Sequence, residues 1–391
     1  MSRFISLVAS VAIGFLIVEL CVRVFMPSAT WKAYANPGLG WASDEYLEFR
    51  PGDDPPVDGA MRILFLGDSY LAGSGVTDRD DRFPTVLAKR VGDGIDTRII
   101  ASGGWGTDQE LLAFMEKGRS WRPDLVVLAF TPHNDLRNNL SNRGLGGVPK
   151  PYFVVDPTTK QLALFDHKGE PAEWETRQSR ARVPIRSHLW DLLVQRVGST
   201  HEPAAKGAES PHVVDPRYLL AKREIEIAKQ IKKLTRTLSG SPQRSMNNIS
   251  AFLEGDFDTT RYSWELLEGI LLRLDVEVNA VGARLIVLLL PDTLKARDPR
   301  FIAGSDFRFD YVTPDGPITL NMSEPRNRLK VITGRHGIEL FDPTAAFIRQ
   351  IAEEDLLSEV WPTLDNHFSE VGHRILAAQL LEYLVRENYL E

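Results

Sequence analysis

Five short apolar runs are spaced along the chain and constrain its fold more than any other feature. They read RILFLG at 62–67, TRIIAS at 97–102, DLVVLAF at 124–130, ARLIVLLL at 283–290 and IELFD at 338–342. Runs of this length, partly β-branched and bounded by Gly, Pro, Ser or Asp, are typical of strands. Because few polar residues alternate with the apolar ones, we expect both faces of these strands to be covered. The runs therefore predict a mostly parallel sheet between layers of helices.

Helical patterns fill the intervals between these runs. The predicted helices cover residues 83–93, 107–121, 262–282 and 369–388. In the third, apolar residues recur at helical spacing, and Gly282 stands where a C-cap glycine belongs. Strands that alternate with helices are typical of an α/β fold. We expect a three-layer α/β/α sandwich with a mostly parallel sheet.

The N-terminal stretch is uninterruptedly apolar or small from Phe4 to Val18 and continues, less purely, to Met26. As a helix, residues 4–26 would be roughly 30 Å long or more at about 1.5 Å per residue, which is enough to cross a bilayer. We predict an uncleaved membrane anchor over residues 1–26, with the rest of the chain exported to the periplasm or the cell surface. A cleaved secretory signal and a buried helix of a soluble protein are the alternatives.

Composition divides the remaining chain. Residues 27–60 hold five prolines together with several glycines and acidic residues, which is typical of a linker. The main domain is predicted to cover residues 61–391. Within it, residues 140–260 interrupt the alternation of strands and helices, and we interpret them as one insertion that borders the functional site. A mixed-charge helix predicted at 218–234 is interpreted as a solvated face.

Charge and cysteine content exclude several classes of protein. The chain has 46 basic and 53 acidic residues, a net charge of −7, so it lacks the basic excess with which proteins bind nucleic acid or anionic membrane surfaces. Its single cysteine, Cys21, leaves no internal disulfide and no cysteine-based zinc site. We expect no nucleic-acid partner.

Polar residues follow the predicted strands, at the carboxyl edge where open α/β sheets gather their chemistry. They occur as Gly67-Asp68-Ser69, Ser102-Gly103-Gly104-Trp105-Gly106, Thr131-Pro132-His133-Asn134-Asp135 and, just before the last helix, Asp365-Asn366-His367. Acyl transfer at neutral pH needs a nucleophile, a base, a group that orients the base, and donors for the oxyanion. These segments together contain all four types of residue, so they predict a serine-based acyl-transfer site.

Each residue alone also has a structural interpretation. Ser69 can be a helix N-cap, Asn134 a turn residue and His367 a cap of the last helix. Two other functions stay open. One is a non-catalytic binding module of the cell envelope, and the other is a metal-dependent phosphoesterase. The metal ligands of the latter would be His133, Asp135, Asp365 and His367.

Taken together, the segments FLGDSYLAGSGV, ASGGWGTDQEL, FTPHND and DNHFSEVGH resemble the four sequence blocks of the SGNH (GDSL-type) hydrolase superfamily. The resemblance covers about residues 60–135 and 263–388 and leaves the insertion unmatched. It implies that Ser69 is the nucleophile, that His367 is the base, and that Asp365 orients the imidazole. It also implies that an oxyanion hole is formed by the N–H groups of Ser69 and Gly104 and the amide of Asn134. No metal or organic cofactor is implied.

The third and fourth blocks depart from the usual pattern of that superfamily. Pro132 stands where the third block commonly has glycine. Only Asn366 separates Asp365 from His367, where two residues are common. The narrower spacing is similar to that of membrane-associated members linked to acylated polysaccharides.

Two of the implied assignments therefore keep an alternative. Asp342, which ends the fifth apolar run, is a substitute for Asp365, with a turn at the strand end as its other interpretation. Gly106 is the alternative to Gly104 as oxyanion donor, and the offset of Gly104 from the GTDQ segment favours Gly104.

Four further residues receive structural interpretations. Asp68 is predicted to satisfy backbone donors of its own loop, and His373 to pack or cap at the start of the last helix. His133 is predicted either to line the pocket or to face solvent. Trp105 is interpreted either as a core or rim residue or as a surface on which a sugar stacks.

The predicted function is that of an exported, membrane-anchored serine esterase with an acyl-serine intermediate. Its predicted substrate is an acylated small molecule or carbohydrate, and the O-acyl groups of a cell-envelope carbohydrate are favoured. Acyl transfer to a cell-surface polysaccharide by the same residues is the main alternative, because only the attacking group, water or a sugar hydroxyl, distinguishes the two reactions.

Overall fold

The computed structural model describes residues 34–36, 38–42, 59–143, 148–156, 158–173, 249–255, 258–293, 299–313, 316–362 and 367–390, preceded by Ser10, 13–18 and Cys21. No helix in these ranges is both long and apolar enough to cross a membrane. Most of the predicted anchor at 4–26 and most of the predicted insertion lie outside the described residues. The predicted helix at 218–234 and Asp365 lie entirely outside them. The predicted domain boundaries stay predictions.

Five parallel strands form the central sheet. The strands of the described ranges are, in chain order, β1 (Tyr34–Asn36), β2 (Gly40–Ala42), β3 (Met61–Gly67), β4 (Ile95–Ala101), β5 (Leu125–Phe130), β6 (Tyr152–Val155), β7 (Leu162–Phe165), β8 (Leu253–Glu254), β9 (Arg284–Leu289), β10 (Arg308–Thr313), β11 (Gly316–Asn321) and β12 (Glu339–Phe341). In the central sheet the order is β12, β9, β5, β3, β4, and every neighbouring pair is parallel. These are the five apolar runs, so the predicted parallel sheet is confirmed.

Helices connect these strands. In the described ranges from residue 59 onward they are, in chain order, α1 (Ser69–Ala72), α2 (Phe83–Val91), α3 (Thr107–Glu116), α4 (Pro132–Asn139), α5 (Asp258–Asn279), α6 (Glu324–His336), α7 (Thr344–Glu353), α8 (Leu357–Val360) and α9 (Glu370–Arg386). The four predicted helices correspond to α2, α3, α5 and α9. Helix α6 was not predicted, because its sequence EPRNRLKVITGRH has few apolar residues and buries only a thin stripe around Leu329 and Ile332.

Alternate residues of the central strands face two separate hydrophobic cores. Leu64 and Leu66 of β3 lie in one core with residues of α3, α5 and α6, whereas Ile63 and Phe65 lie in the other with residues of α2, α7 and α9. All six residues of β5 are buried. Because burying one such side chain contributes roughly 1.5–3 kcal/mol, the continuous apolar runs account for a sheet covered on both faces.

Smaller sheets surround this sandwich. Strands β10, β11 and β8 form an antiparallel sheet, and β6 pairs with β7 in a hairpin within the region predicted as an insertion. Strands β1 and β2 form a second hairpin within the stretch predicted as a linker. Residues 38–42 of that hairpin are buried, so this part of the stretch packs into the domain.

The order of the strands creates a switch point beside β3. The chain passes from β3 to β4 on one side, then crosses back to β5 on the other side of β3. The loops that follow β3 and β5 therefore diverge at the carboxyl edge and leave a crevice, which is where open α/β sheets bind their ligands. Ser69 follows β3 and Asn134 follows β5, so both reach this crevice.

Candidate active site

The hydroxyl of Ser69 lies 2.7 Å from Nε2 of His367, which is hydrogen-bond distance. Ser69 begins α1 directly after β3, and His367 precedes α9 near the other end of the chain. Both residues are half-buried, whereas their neighbours Tyr70 and Phe368 are buried. The structure thus brings the predicted nucleophile and base together at the crevice, and their catalytic roles stay predictions.

Gly67 and Asp68 shape the turn that presents Ser69. A Cβ atom at Gly67 would lie 2.9 Å from Cβ of Leu71, so glycine lets α1 fold back closely against β3. Oδ1 of Asp68 accepts a hydrogen bond from the N–H of Tyr70 at 2.9 Å and caps the short helix. This confirms that Asp68 satisfies a backbone donor of its own loop. Because Asp68 is the N-cap of α1, the Ser69 hydroxyl does not cap that helix.

Phe368 anchors the segment that carries His367. Its ring is fully buried and lies 5.2 Å from that of Tyr70 and 5.7 Å from that of Trp361, measured between ring centroids. The ring of His367 itself lies 4.7 Å from that of Tyr70. Such aromatic pairs contribute about 0.5–1.5 kcal/mol each beyond their burial. The cluster therefore holds the imidazole beside the residue that follows the nucleophile.

Gly75 lets this segment approach the nucleophile turn. Its φ is +107°, a conformation that disfavours side chains. A Cβ atom there would collide with the carbonyl oxygen of Phe368 and would lie 3.0 Å from Cβ of His367. The position of the imidazole thus depends on the absence of a side chain at Gly75.

We expect Gly75→Ala to lower ester turnover at least about tenfold, because a displacement of 1 Å in a catalytic group costs on the order of 10²-fold in rate. Its strained φ should also cost about 1–3 kcal/mol in the free energy of unfolding. The matched control is Gly92→Ala, since Gly92 has φ +73° but nothing within 4 Å of the added atom. Initial rates and urea unfolding are measured for both variants, and an equal loss of turnover in both would contradict the close approach at Gly75.

Two hydrogen bonds hold α9 against residues that follow Ser69. The N–H of Thr77 donates to Oε1 of Glu370 at 2.9 Å, and the N–H of Phe83 donates to Nδ1 of His373 at 3.3 Å. Burial, assisted by the charge of Arg82, lowers the pKa of His373 from 6.5 to about 3. The ring is therefore neutral near neutral pH and serves packing, as predicted.

The lowered pKa of His373 makes the stability of the protein sensitive to acid. Between the folded value of about 3 and the unfolded value of 6.5 the unfolded state binds more protons, so stability falls as the pH falls through this window. Titration of His373 should cost the parent protein about 2 kcal/mol in the free energy of unfolding between about pH 7 and pH 5. We expect His373→Asn to abolish this loss, because asparagine does not titrate and its side-chain oxygen still accepts from the N–H of Phe83. Urea unfolding at both pH values measures this, with the exposed His167→Asn as control. The same pH-dependent loss in His373→Asn and the parent protein would refute a buried, neutral His373.

The candidate oxyanion donors line the crevice. Gly104 is half-buried. Gly106 is buried, and a Cβ atom at Gly106 would meet Asn138 and Asn139. This difference favours Gly104, whose role as a donor stays a prediction. The amide of Asn134 is also at the crevice, but it donates to Oδ2 of Asp68 at 2.5 Å and to the carbonyl of Trp105 at 3.1 Å.

Asn138 completes this amide network and was not predicted from the sequence. Its amide donates to the carbonyl of Gly104 at 2.8 Å and to Oδ1 of Asn134 at 2.9 Å. The available signal was its position four residues after Asn134, on the same face of α4. Both N–H groups of Asn134 already donate, one to Asp68 and one to the carbonyl of Trp105, so donation to an oxyanion requires one of these two bonds to break. The bond to Trp105 is the longer and therefore the weaker of the two.

Trp105 belongs to the core and not to a sugar-stacking surface. Its ring is fully buried, and its Nε1 donates to the carbonyl of Trp41 at 2.8 Å. Nε1 of Trp41 in turn donates to the carbonyl of Gly103 at 2.8 Å. The interpretation of Trp105 as a stacking platform is therefore wrong, and the β1–β2 hairpin supports the loop that carries Gly104.

Buried carboxyl groups lie beneath the crevice. Asp68, Asp108, Glu110 and Asp135 are all fully buried, and the buried ammonium group of Lys150 pairs with Asp108. Burial and the charges of neighbouring carboxylates raise the pKa values of Glu110 and Asp135 well above their usual range. Burial disfavours the charged form of both groups, so each holds its proton more readily than an exposed carboxyl group does.

The carboxylate that orients His367 is predicted to be Asp365, which lies outside the described residues, so this role stays a prediction. The substitute, Asp342, follows β12 at the sheet edge, three strands and roughly 14 Å from β3. Its Oδ1 accepts from the N–H of Thr344 at 3.0 Å, and its Oδ2 lies 3.9 Å from Nε of Arg326. These contacts agree with the turn interpretation of Asp342 and not with a role beside His367.

A second histidine–carboxylate pair lies beside the first. Nδ1 of His133 contacts Oδ2 of Asp292, and the hydroxyl of Tyr70 donates to Oδ1 of Asp292 at 3.0 Å. Asp292 was not predicted, although it follows the fourth apolar run after Pro291 and so occupies the same kind of position as the other site residues. His133 is therefore paired and mostly buried, which disagrees with a solvent-facing residue, and its place in the pocket stays a prediction.

The candidate metal ligands that the structure describes engage separate partners. Oδ2 of Asp135 accepts from the N–H of Thr131 at 2.8 Å, whereas His133 pairs with Asp292 and His367 with Ser69. Within the described ranges, which omit Asp365, no three potential ligands gather around one point. The arrangement of these side chains instead favours proton transfer between a hydroxyl and an imidazole.

No protein-family model and no curated protein matches the chain. Among solved structures it is similar to the lipase/acylhydrolase from Enterococcus faecalis, with 12% identity, TM-score 0.37, and coverage of 84% of this chain and 96% of that one. It is also similar to the acetyl xylan esterase AlAXEase, with 9% identity, TM-score 0.35, and coverage of 83% and 100%. A carbohydrate acetylesterase family member from Sinorhizobium meliloti has 11% identity, TM-score 0.33, and coverage of 84% and 100%. Likenesses of this size carry nothing about activity, so the function rests on the site itself.

Proposed function

We propose that the protein is a serine esterase of the SGNH (GDSL) type that acts through an acyl-serine intermediate. The observation that carries the proposal is the 2.7 Å contact between the Ser69 hydroxyl and Nε2 of His367 at the switch point of the sheet. A serine hydroxyl is a weak nucleophile unless a neighbouring base takes its proton, and His367 is placed to do so. The four sequence blocks quoted above support the same assignment.

The proposed reaction has two halves that share one base. In the first, Nε2 of His367 takes the hydroxyl proton while Oγ of Ser69 attacks the acyl carbon, and the imidazolium then protonates the leaving alcohol oxygen as its bond to that carbon breaks. In the second, His367 takes a proton from water as that water attacks the acyl carbon, and the imidazolium then returns the proton to Oγ of Ser69 as its bond to that carbon breaks, which releases the acid. Asp365 is proposed to stabilise the imidazolium in both halves.

Backbone and side-chain donors are proposed to stabilise the oxyanion of each tetrahedral intermediate. These donors are the N–H groups of Ser69 and Gly104 and the amide of Asn134. Loss of one such donor costs on the order of 3 kcal/mol of barrier. The bond of Asn134 to Asp68, at 2.5 Å, supports the proposal because it keeps the amide at the crevice while the longer bond to the carbonyl of Trp105 is exchanged for the oxyanion.

We further propose an O-acyl group of a cell-envelope carbohydrate as the substrate. The apolar stretch at 4–26 supports a membrane anchor, which would hold the catalytic domain in the periplasm or at the cell surface. The single residue between Asp365 and His367 supports the same setting through its similarity to members linked to acylated polysaccharides. If a sugar hydroxyl replaces water in the second half, the same residues perform O-acyl transfer.

Detection of the acyl-enzyme tests this proposal. The purified protein is mixed with a panel of acetylated glycans, and its intact mass and the released acetate are followed with and without unacetylated sugar acceptors. We expect a transient gain of one acetyl group on Ser69 and release of acetate. A product acetylated on the acceptor would favour the transferase, and turnover that survives exhaustive chelation would argue against the metal-dependent phosphoesterase. No adduct and no turnover of any ester would overturn the proposal in favour of a binding module.

A further inference from the structure

The pair formed by His133 and Asp292 has no part in the proposed acyl transfer. His133 is the second residue of α4, after β5, and Asp292 lies just beyond β9, so both stand at the carboxyl edge of the sheet. The side chain of Asp292 is fully buried, and that of His133 is 17% exposed. A buried carboxylate thus holds one edge of an imidazole that remains partly exposed to solvent.

The hydrogen bonds of Asp292 determine which nitrogen of His133 is available. The hydroxyl of Tyr70 donates to Oδ1 of Asp292 at 3.0 Å, so the carboxylate acts as an acceptor. Nδ1 of His133 faces Oδ2 and must therefore carry the ring hydrogen. In the neutral imidazole this leaves a lone pair on Nε2. Within the described part of the chain Nε2 has no hydrogen-bond partner, and it is not sealed from solvent.

His133 lies against the same tyrosine ring as the base His367. Tyr70 separates it from the base: the ring centroid of Tyr70 is 4.7 Å from that of His367 and 6.4 Å from that of His133. The next residue after His133 is Asn134, the proposed oxyanion donor. A substrate whose carbonyl oxygen reached Asn134 would therefore lie next to the residue that carries the imidazole of His133.

We propose that His133 binds the alcohol half of the substrate, with Nε2 accepting a hydrogen bond from a carbohydrate hydroxyl. The assignment rests on the proposed esterase function and adds a specificity-determining residue to it. An acceptor nitrogen requires a donor on the ligand, and an alkanoyl group such as acetyl has none, whereas a sugar ring carries several. Asp292 and Tyr70 are positioning residues, because they fix the tautomer without reaching the substrate.

Two esters of the same sugar test this assignment. One is a monoacetylated glycoside with its other hydroxyl groups free, and the other is the same compound with those hydroxyl groups methylated. We expect the parent protein to have the higher kcat/KM for the free-hydroxyl ester. In His133→Phe the ratio of kcat/KM for the free-hydroxyl ester to kcat/KM for the methylated ester should fall roughly ten- to one-hundredfold, because the sugar hydroxyl loses this acceptor. Asp292→Asn should lower the ratio in the same direction by releasing the ring tautomer, and His133→Gln should restore part of it.

The ratio separates recognition from folding and from the chemistry. A purely structural role of His133 would lower kcat/KM for both esters equally. The matched control is His336→Phe, because Nε2 of His336 also contacts a carboxylate, that of Glu268, at 2.7 Å. His336 ends α6 just before β12 begins, so it lies away from the carboxyl edge of the sheet. A ratio in His133→Phe equal to that of the parent protein would overturn the His133 assignment alone. The absence of Ser69-dependent turnover of either ester by the parent protein would overturn the esterase proposal itself.

Discussion

Ser69→Ala is expected to lower the turnover of p-nitrophenyl acetate by about four to six orders of magnitude in kcat. The hydroxyl that this change removes is the one that lies 2.7 Å from Nε2 of His367, so no acyl-enzyme can form without it. The oxyanion donors would remain and would account for any residual rate. Initial rates at saturating ester measure the loss, and circular dichroism checks that the fold is intact.

Ser74→Ala is the matched control for this change. Ser74 is buried close to the same turn, and its hydroxyl has no hydrogen-bond partner among the described residues. Its N–H donates to the carbonyl of Ser69 at 2.9 Å, a bond that alanine keeps. We expect Ser74→Ala to stay within about twofold of the parent rate. Turnover retained in Ser69→Ala would place the nucleophile elsewhere.

His367→Ala is expected to cause a loss of similar size, about four to six orders of magnitude in kcat, because a neutral serine without its base attacks esters very slowly. The two residues act as one unit, so the losses should not add. We expect the double variant Ser69→Ala/His367→Ala to be no slower than the slower single variant. The same rate assay measures all three proteins.

His336→Ala serves as the control for His367→Ala. His336 also contacts a carboxylate, at 2.7 Å from Oε1 of Glu268, but it lies at the end of α6. Its removal should change the rate by no more than about twofold. Losses of Ser69→Ala and His367→Ala that multiply in the double variant would show that the two residues act independently, and would contradict the proposed pair.

The central sheet and the placement of Ser69 and Asn134 at one edge of it were predictable because the relevant signals are local, whereas the pairing of His367 with Ser69 was implied by the resemblance of the sequence blocks. The inner strands β3, β5 and β9 are nearly pure apolar runs because both of their faces are buried, and the segments that carry Ser69 and Asn134 directly follow β3 and β5 in sequence. The rule that chemistry gathers at the carboxyl edge then brings segments together that are far apart in the chain. For Ser69 and Asn134 this reasoning was sufficient.

Other features depend on contacts that leave little trace in sequence. Helix α6 is mostly polar because only a thin stripe around Leu329 is buried, so its periodicity is weak. Trp41 supports the loop that carries Gly104 through two indole hydrogen bonds, one donated by Trp41 and one by Trp105. The two partners are some sixty residues apart, so no local pattern encodes this contact. The partnership of His133 with Asp292 spans 159 positions and becomes visible only when β5 and β9 are placed side by side.

The most direct test of the central claim, that His367 activates Ser69, is labelling by a fluorophosphonate probe followed by peptide mapping. Only an activated serine reacts readily with such a probe. We expect the folded protein to be labelled on Ser69, the urea-unfolded protein to remain unlabelled, and His367→Ala to react far more slowly. Labelling at another residue, or equal rates for His367→Ala and the parent protein, would contradict the claim.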